Sequence, residues 1–286
     1  MGKISGAVGA HNAQLGLGIS TDGLEFERHV LLKLGIGDSL ITTQIVPPEP
    51  LADYLFSVLL LSATLGQFGR DGRNLMRTEI GELAEPFEVG QVGSSTMAHK
   101  RNPITFENIE GMWIKNKSEF GKVLDTLISD HQRDLVGSSI STDYPIMVVN
   151  LVEQLSKLLS PDKLGDPFIK RIIVDEVRCA RNLEMEGDAV LAEPLYLALQ
   201  LYGYQGDAHK LVNEVTIPAK KRSGQSSLLT VVEEHAKQDD LFADVWSKIP
   251  DDIKTHLGSS KKYIGVAVEK TRVVCALAQA YRDTER

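Results

Sequence analysis

The sequence predicts an all-α fold, in which a long central helical bundle is followed by a smaller C-terminal helical domain. Three observations indicate this. Apolar residues recur at alternating steps of three and four residues over long stretches, strand-like patterns are scarce, and the periodic stretches become shorter after a cluster of turn-forming residues. That cluster, residues 160–167 (SPDKLGDP), puts the predicted domains at residues 1–164 and 165–286.

The first long helix is predicted to begin after residues 47–50 (PPEP), because proline is well tolerated only in the first turn of a helix. Its apolar residues form a seam of the coiled-coil type: Leu51, Tyr54, Val58, Leu61, Leu65, Phe68, Gly72 and Leu75. Such a seam packs against another helix along its length. The pattern alone leaves open whether that helix belongs to the same chain or to another copy.

Two further helices complete the predicted bundle. One carries an apolar face made of Phe106, Ile109, Trp113, Phe120, Leu124 and Leu127. The next runs from about Met147 to Leu159 and carries Val148, Leu151, Leu155 and Leu158. Beyond the turn-forming cluster, shorter amphipathic segments centred near residues 172, 195, 213 and 230 predict the smaller domain.

The composition is that of an ordinary soluble enzyme. Of the 286 residues, 42% are hydrophobic and 24% are charged, and the formal net charge is −8. An acidic chain has no general attraction to nucleic acid or anionic membranes, and no uninterrupted apolar run approaches the roughly 20 residues that span a bilayer. The two cysteines, Cys179 and Cys275, are predicted to be buried free thiols. We therefore expect a cytoplasmic protein without nucleic-acid or membrane partners.

The segment with the densest chemistry is residues 93–103 (GSSTMAHKRNP). Two adjacent hydroxyls, Ser94 and Ser95, are followed by Lys100, Arg101 and Asn102. Serine is normally a poor base because its alkoxide is unstable in water, but nearby cations and backbone N–H groups lower that cost. The segment is therefore predicted to hold an anionic substrate and to take a proton from it.

This segment resembles the signature loop of the fumarase/aspartase superfamily, whose usual pattern is Gly-Ser-Ser-x-Met-Pro-x-Lys-x-Asn-Pro. Only Ala98 departs from the pattern, since the family has proline there. Within the superfamily, His99 and residues 104–111 (ITFENIEG) are most similar to the adenylosuccinate lyases. Four further segments match in the same order along the chain: residues 3–9 (KISGAVG), 42–45 (TTQI), 132–135 (QRDL) and 192–195 (AEPL).

The resemblance implies a lyase that eliminates fumarate from adenylosuccinate, and from the related succinyl-carboxamide purine precursor, in purine (AMP) biosynthesis. It implies no metal and no organic cofactor, and a homotetramer built around a long central bundle, with each active site shared by three subunits. Ser94, in the loop near residues 85–103, would be the catalytic base. The other implied residues would bind substrate: Gln44, Ser95, Lys100, Arg101, Asn102, Asn108, Arg133 and Ser138.

Two departures from the family pattern qualify this prediction. The family's general acid is a histidine in a Thr-His-Gly-Gln type segment upstream of the Gly-Ala-Val-Gly motif, and no histidine of this sequence has that context. We therefore expect a C-terminal fragment that lacks the N-terminal domain and is inactive alone, with His131 in a supporting role.

The second departure is Thr142, which stands where adenylosuccinate lyases typically carry an arginine for the nucleotide phosphate. This keeps open another fumarate-releasing lyase or a carboxymuconate-type cycloisomerase. A non-catalytic helical assembly module is the alternative outside enzymes, although the retained Ser94, Lys100 and Asn102 argue against it.

Overall fold

The computed structural model describes residues 1–86, 101–221 and 228–284, and helices dominate in all three ranges. The chain divides into two compact units, Met1–Asp175 and Glu176–Arg286. The predicted all-α class is confirmed. Whether residues 164 and 165 mark a domain boundary stays a prediction.

In its described residues, the first unit contains six helices and two very short strands. The helices are α1 (Asn12–Gly16), α2 (Gly23–Lys33), α3 (Glu49–Leu75), α4 (Ile104–Asp125), α5 (Leu135–Ser141) and α6 (Pro145–Leu159). The strands β1 (Leu83–Ala84) and β2 (Ile173–Val174) pair antiparallel, and a 3₁₀ turn occupies Phe168–Arg171.

Three long helices, α3, α4 and α6, make the core of this unit. Helix α4 runs antiparallel to both of the others: Gly72 of α3 lies against Phe106 near the start of α4, whereas Phe56 contacts Phe120 near its end. Near the middle of α4, the Asn116 side-chain amide donates a hydrogen bond to the Met147 carbonyl of α6. The bundle therefore has two distinct ends, one at the start of α4 and one at its end.

Close approach of α3 and α4 depends on three glycines spaced by three residues. A β-carbon on Gly66 would lie 2.6 Å from the Trp113 side chain, and one on Gly69 would lie 2.7 Å from the Phe106 carbonyl oxygen. On Gly72 it would lie 2.4 Å from the Phe106 ring. All three distances are too short for a carbon contact, so only glycine allows this separation of the helices.

A fully hydrogen-bonded polar layer crosses the middle of the core. Asn116 donates to Ser62 Oγ and accepts from Asn150, while Ser62 donates to Gln154 Oε1 at 2.7 Å. Gln154 Nε2 in turn donates to the Ile109 carbonyl at 2.8 Å. Since an unpaired buried polar group is costly, a shift of one helix along another would break this layer, which fixes the helix register.

The seam predicted on α3 is only partly the buried face. Val58 and Gly72 are buried as expected, but Leu51, Tyr54 and Leu61 are about half exposed in the chain by itself. The residues that α3 buries are instead Leu55, Val58, Leu59, Ser62, Gly66, Gly69 and Gly72. The helix therefore carries a second, exposed apolar stripe beside its packed face.

The turn-forming residues 160–167 close a tight turn, as predicted. Asp162 Oδ1 accepts the N–H groups of Leu164 and Asp166 at 2.8 and 2.9 Å. These backbone hydrogen bonds lower the pKa of the Asp162 carboxyl.

The second unit is also helical, and its helices between residues 192 and 257 surround a core of their own. The helices of the unit are α7 (Glu176–Glu186), α8 (Ala192–Leu201), α9 (Ala208–Lys221), α10 (Leu228–Ala236), α11 (Asp240–Lys248), α12 (Asp251–Leu257) and α13 (Ala267–Thr284), with 3₁₀ turns at Gly187–Leu191 and Ser260–Lys262. The core centres on Leu195, Leu199, Val232, Phe242 and Trp246. Both cysteines lie in this unit, and the expected burial is wrong: Cys179 is half-buried, and Cys275 is exposed on α13.

No uninterrupted apolar run of membrane-spanning length occurs. Among the described residues, however, two helical stretches, Glu49–Leu75 and Leu135–Leu159, are long enough and apolar enough on average to cross a membrane. Core helices of soluble proteins meet the same criteria. Here the two stretches supply Ser62, Asn150 and Gln154 to the polar layer.

Candidate functional site

The predicted substrate-binding residues that the structure describes form two groups, one at each end of the three-helix core. Gln44, Arg133 and Ser138 lie beyond the end of α4, while Arg101, Asn102 and Asn108 lie at its start. Ser94, Ser95 and Lys100 fall outside the described residues, and their predicted roles stay predictions.

Gln44 and Arg133 are joined by hydrogen bonds that use main chain and side chain together. Gln44 Oε1 accepts the Arg133 N–H at 2.8 Å, and the Gln44 N–H donates to the His131 carbonyl at 3.1 Å. Arg133 Nε donates to Ser138 Oγ at 3.2 Å. Three residues predicted from separate motifs are thus brought together, and the exposed Arg133 guanidinium presents a positive charge to solvent.

Hydrogen bonds in the first turn of α5 fix the positions of Arg133 and Ser138 relative to each other. Asp134 accepts the Gly137 N–H at 2.6 Å through its side chain, which is a good helix N-cap, and the Ser138 hydroxyl donates to the Asp134 carbonyl at 2.9 Å. Because both bonds lie within one turn of helix, Arg133 and Ser138 keep a fixed spacing.

A cavity of about 550 Å³ opens beside this group. Its apolar wall comes from the segment that leads into α3, from the first turns of α3 and from Tyr144 just before α6, and its polar residues come mainly from the loop and helix that follow α4. The apolar lining includes Ile45, Val46, Pro47, Pro48, Leu51, Tyr54 and Tyr144, and the polar lining includes Thr126, Ser129, Gln132, Arg133, Asp134, Ser138 and Ser141. Arg133 is the one Lys or Arg among the lining residues of the described part of the chain.

Thr142 ends α5 and faces solvent. Its hydroxyl donates to the Ser139 carbonyl at 2.7 Å, back along its own helix. A threonine so placed supplies no charge, so it cannot replace a phosphate-binding arginine.

At the other end, Asn102 and Asn108 flank the first turn of α4. The Asn102 carbonyl accepts the Ile104 N–H at 2.9 Å and so helps to start the helix. Asn108 Oδ1 is buried and has no hydrogen-bond partner among the described residues. A buried amide oxygen without a partner is costly, which fits a side chain kept for a contact outside the described part of the chain.

Glu85 ties the segment before the signature loop to the helix after it. Its Oε1 accepts the Phe106 N–H at 2.8 Å, in the first turn of α4. Burial raises the pKa of the Glu85 carboxyl, although hydrogen bonds from the Phe106 and Thr105 N–H groups oppose that rise. Apart from its nearness to the loop, no sequence pattern singles out Glu85.

The two groups of predicted residues are far apart within one chain. From Asn108 to Asp125, the last residue of α4, the helix covers roughly 25 Å at about 1.5 Å per residue. Arg133 follows that end. One chain therefore does not bring Asn102 and Asn108 together with Gln44 and Arg133.

Within residues 1–86, 101–221 and 228–284, no cluster of three or more His, Cys, Asp or Glu side chains is arranged to hold a metal ion. The described histidines are also dispersed: His11 contacts Glu27, His131 is exposed beside Gln44, and His235 packs on Phe242.

Comparison with known proteins gives one family and several relatives. A family model described as "Lyase" matches residues 2–115. An adenylosuccinate lyase from Pyrococcus horikoshii is 34% identical over 238 residues, covering 82% of this chain and 49% of the relative. An N-acetyl-S-(2-succino)cysteine lyase from Dickeya dadantii is 30% identical over 252 residues, covering 86% and 52%. This chain thus spans about half the length of the relatives it matches.

Among solved structures, a 3-carboxy-cis,cis-muconate lactonizing enzyme from Pseudomonas putida matches 99% of this chain and 58% of its own, with a TM-score of 0.67 and 23% identity. At that identity the match establishes the shared fold.

Proposed function

This chain belongs to the fumarase/aspartase superfamily, and from that premise we propose that it acts in a lyase that releases fumarate from an N-substituted succinate, with adenylosuccinate as the first candidate substrate. The observation that carries the proposal is the retention of Ser94, Lys100 and Asn102 in a superfamily signature loop, together with the contact between Gln44 and Arg133. The adenylosuccinate lyases among the relatives support that substrate, and we propose a cytoplasmic role in purine biosynthesis on the same ground.

In the proposed mechanism, Ser94 takes a proton from the carbon next to a succinyl carboxylate. The electron pair moves onto that carboxylate as a doubly charged aci-carboxylate, and then expels the nitrogen as the carbon–nitrogen bond breaks. Lys100 favours the Ser94 alkoxide, and Ser95, Lys100 and Asn102 bind the carboxylates through charge and hydrogen bonds, with Arg101 near the same end. A general acid protonates the leaving nitrogen, so fumarate and the free amine result.

We propose that the complete site forms only between copies of the chain. Asn102 and Asn108 lie at one end of α4 and Gln44 and Arg133 lie beyond the other, roughly 25 Å of helix away. A second copy whose α4 runs in the opposite direction would bring its Arg133 end to the first copy's Asn108 end. A homotetramer built on the long helices has this geometry.

The exposed apolar side chains of the long helices support that assembly. Helix α3 exposes Leu51, Tyr54, Phe56, Leu60 and Leu61, α4 exposes Ile114 and Leu124, and α6 exposes Ile146, Val149 and Val152. Apolar stripes of this length on three neighbouring helices are typical of faces that pack against another subunit.

We also propose that these 286 residues do not turn substrate over by themselves. Among the described histidines, His11 pairs with buried Glu27 and does not line the cavity, while the main-chain carbonyl of exposed His131, rather than its ring, accepts the Gln44 N–H. The acid would then come from the part of the relatives' length that this chain does not span.

The test is fumarate release from adenylosuccinate by the full-length product of the gene that encodes this chain. We expect turnover by the full-length protein and a loss of at least roughly 1,000-fold in kcat in its Ser94→Ala variant, because that change removes the base. Ser247→Ala, at an exposed serine of α11, is the matched control and should leave kcat unchanged. A full-length protein without turnover on any succinyl substrate would favour the non-catalytic assembly module.

A second candidate is a lyase for a succinyl substrate without phosphate. Thr142 carries no charge, and Arg133 is the one cationic side chain that lines the 550 Å³ cavity in the described residues. The Dickeya dadantii relative is named for a succinylated thiol. If this candidate is right, the full-length protein releases fumarate from S-(2-succino)cysteine derivatives with a higher kcat/KM than from adenylosuccinate. A higher kcat/KM for adenylosuccinate would instead support the nucleotide as the substrate.

A further inference from the structure

A buried carboxylate that is not among the predicted site residues holds the N-terminal segment that contacts Gln44. Glu27 of α2 is 4% exposed, although most glutamates of amphipathic helices face solvent. Its Oε1 accepts the Ile4 N–H at 2.6 Å, and its Oε2 lies 3.4 Å from Nε2 of His11. Burying a carboxylate is costly unless it is paired, so this residue is held for a specific contact.

His11 is the second half of the pair, and its backbone is strained. It is 6% exposed and has φ 55°, the left-handed region that non-glycine residues rarely adopt. Its N–H donates to the Ser5 carbonyl at 2.8 Å, and its ring packs so closely on Gly23 that a β-carbon there would lie 2.6 Å from Cγ. Such a conformation persists only where the surroundings determine it.

From Ile4 and His11, a continuous set of contacts reaches the predicted substrate residues. Lys3 Nζ donates to the Gln44 carbonyl at 3.0 Å, and the hydroxyls of Ser5 and Thr42 are 2.9 Å apart. Gly9 lies so close to Thr42 that a β-carbon on Gly9 would be 2.1 Å from the Thr42 carbonyl oxygen. Residues 3–9 therefore hold residues 42–44 in place, and the Gln44 side chain in turn accepts a hydrogen bond from the Arg133 N–H.

We propose that Glu27 and His11 are positioning residues, which set the place of Gln44 against Arg133 and so tune how the site binds substrate. Neither residue reaches the cavity itself. Both act through residues 3–9 and 42–44. The consequence for catalysis rests on the proposed function, whereas the structural coupling does not.

The first test measures amide hydrogen exchange and needs no substrate. Two N–H groups report on the coupling: that of Gln44, which donates to His131, and that of Arg133, which donates to Gln44. In Glu27→Gln we expect both N–H groups to exchange roughly tenfold faster, while amides of α3, α4 and α6 keep their exchange rates. The reason is that the change weakens only the contacts of residue 27 with Ile4 and His11.

Two further variants complete that test. Glu25→Gln makes the same charge change at an exposed position of α2 and should leave all these rates unchanged. His11→Asn removes the ring but tolerates the left-handed backbone, so it should reproduce Glu27→Gln. Unchanged exchange at Gln44 and Arg133 in both Glu27→Gln and His11→Asn would overturn the proposal, as would an equal loss of protection across α3, α4 and α6.

The second test uses turnover by the full-length protein. Glu27→Gln should raise KM roughly tenfold with little change in kcat, since a small misplacement of binding groups weakens substrate binding. A purely structural role would instead lower kcat in proportion to the folded fraction and leave KM alone. In a Gln44→Ala background, Glu27→Gln should have no further effect on KM; additive effects of the two changes would contradict action through Gln44. No turnover by the wild-type full-length protein, together with the expected exchange result, would refute the proposed function and leave the coupling standing.

Discussion

At the scale of single residues, Glu85 shows how burial and hydrogen bonding oppose each other in one side chain. Its carboxylate accepts an N–H from the first turn of α4, which favours the charged form. Burial disfavours that form more strongly, so the pKa of Glu85 is raised above its ordinary value of 4.5. The folded state therefore binds a proton at Glu85 more tightly than the unfolded state does.

This gives a pH-dependent stability with a definite sign. The contribution of Glu85 is fully present below pH 4.5 and is lost as the pH rises through the raised pKa. Glu85→Gln keeps an oxygen for the Phe106 N–H but does not titrate. We therefore expect the free energy of unfolding of Glu85→Gln, relative to wild type, to increase between about pH 4 and pH 7 in urea titrations.

The control is Glu79→Gln, at an exposed glutamate of the same connecting segment. Its stability should follow the wild-type pH profile. A Glu85→Gln profile that also runs parallel to wild type would mean that Glu85 is not held as the structure places it.

Sequence reasoning at this scale found residues that belong to a motif and missed those that do not. Gln44 and Arg133 were predicted from separate segments, and the structure joins them. Glu27 was missed because a charged residue on an amphipathic helix ordinarily faces water, and no local pattern shows that its carboxylate meets Ile4. The left-handed conformation of His11 was equally invisible, since glycine or asparagine is the usual signal for it.

At the scale of helices, the contact between α3 and α4 depends on glycine. Gly72 is a poor helix former in the last turn of α3, yet a β-carbon there would overlap the ring of Phe106, which is fully buried. Gly111 of α4 has open space where its β-carbon would go. The two positions therefore separate helix propensity from packing.

Alanine substitutions at these positions should have opposite effects. Gly72→Ala should destabilise the first unit by about 1–3 kcal/mol, because overpacking outweighs the gain in helix propensity. Gly111→Ala should stabilise it by up to about 1 kcal/mol. Urea denaturation of both variants measures the difference, and stabilisation by Gly72→Ala would show that the helices are farther apart than described here.

The small residues of α3 also explain why its buried face differs in part from the predicted apolar seam. The apolar pattern selects large side chains such as Leu51 and Tyr54, whereas four of the seven residues that α3 buries are Ser62 and the three glycines. Small residues give no hydrophobic signal, so periodicity identified the helix and its start but not its packed face.

At the scale of the whole molecule, the division of the predicted site between two ends of the bundle is the feature on which the proposed second copy rests. The sequence predicted the all-α class, the long helices and the motif residues. It could not show which residues share an end, because that depends on the antiparallel packing of α3, α4 and α6 and on their fixed register. In the proposed assembly, the exposed apolar stripes would serve as subunit interfaces.

This account predicts that two defects at opposite ends of the bundle complement each other. Ser94→Ala and Arg133→Ala, introduced separately into the full-length protein, should each abolish most fumarate release. In a mixed oligomer, some sites would combine an intact signature loop from one copy with an intact Arg133 from another. Ser94→Ala with Lys100→Ala is the matched control, because both changes lie in the same loop and every site would carry one of them.

Fumarate release by co-expressed Ser94→Ala and Arg133→Ala chains therefore tests the central claim most directly. Activity well above that of either variant alone, with none recovered in the Ser94→Ala and Lys100→Ala mixture, is the predicted result. Equal inactivity of both mixtures, in oligomers shown to contain both kinds of chain, would contradict a lyase site shared between copies.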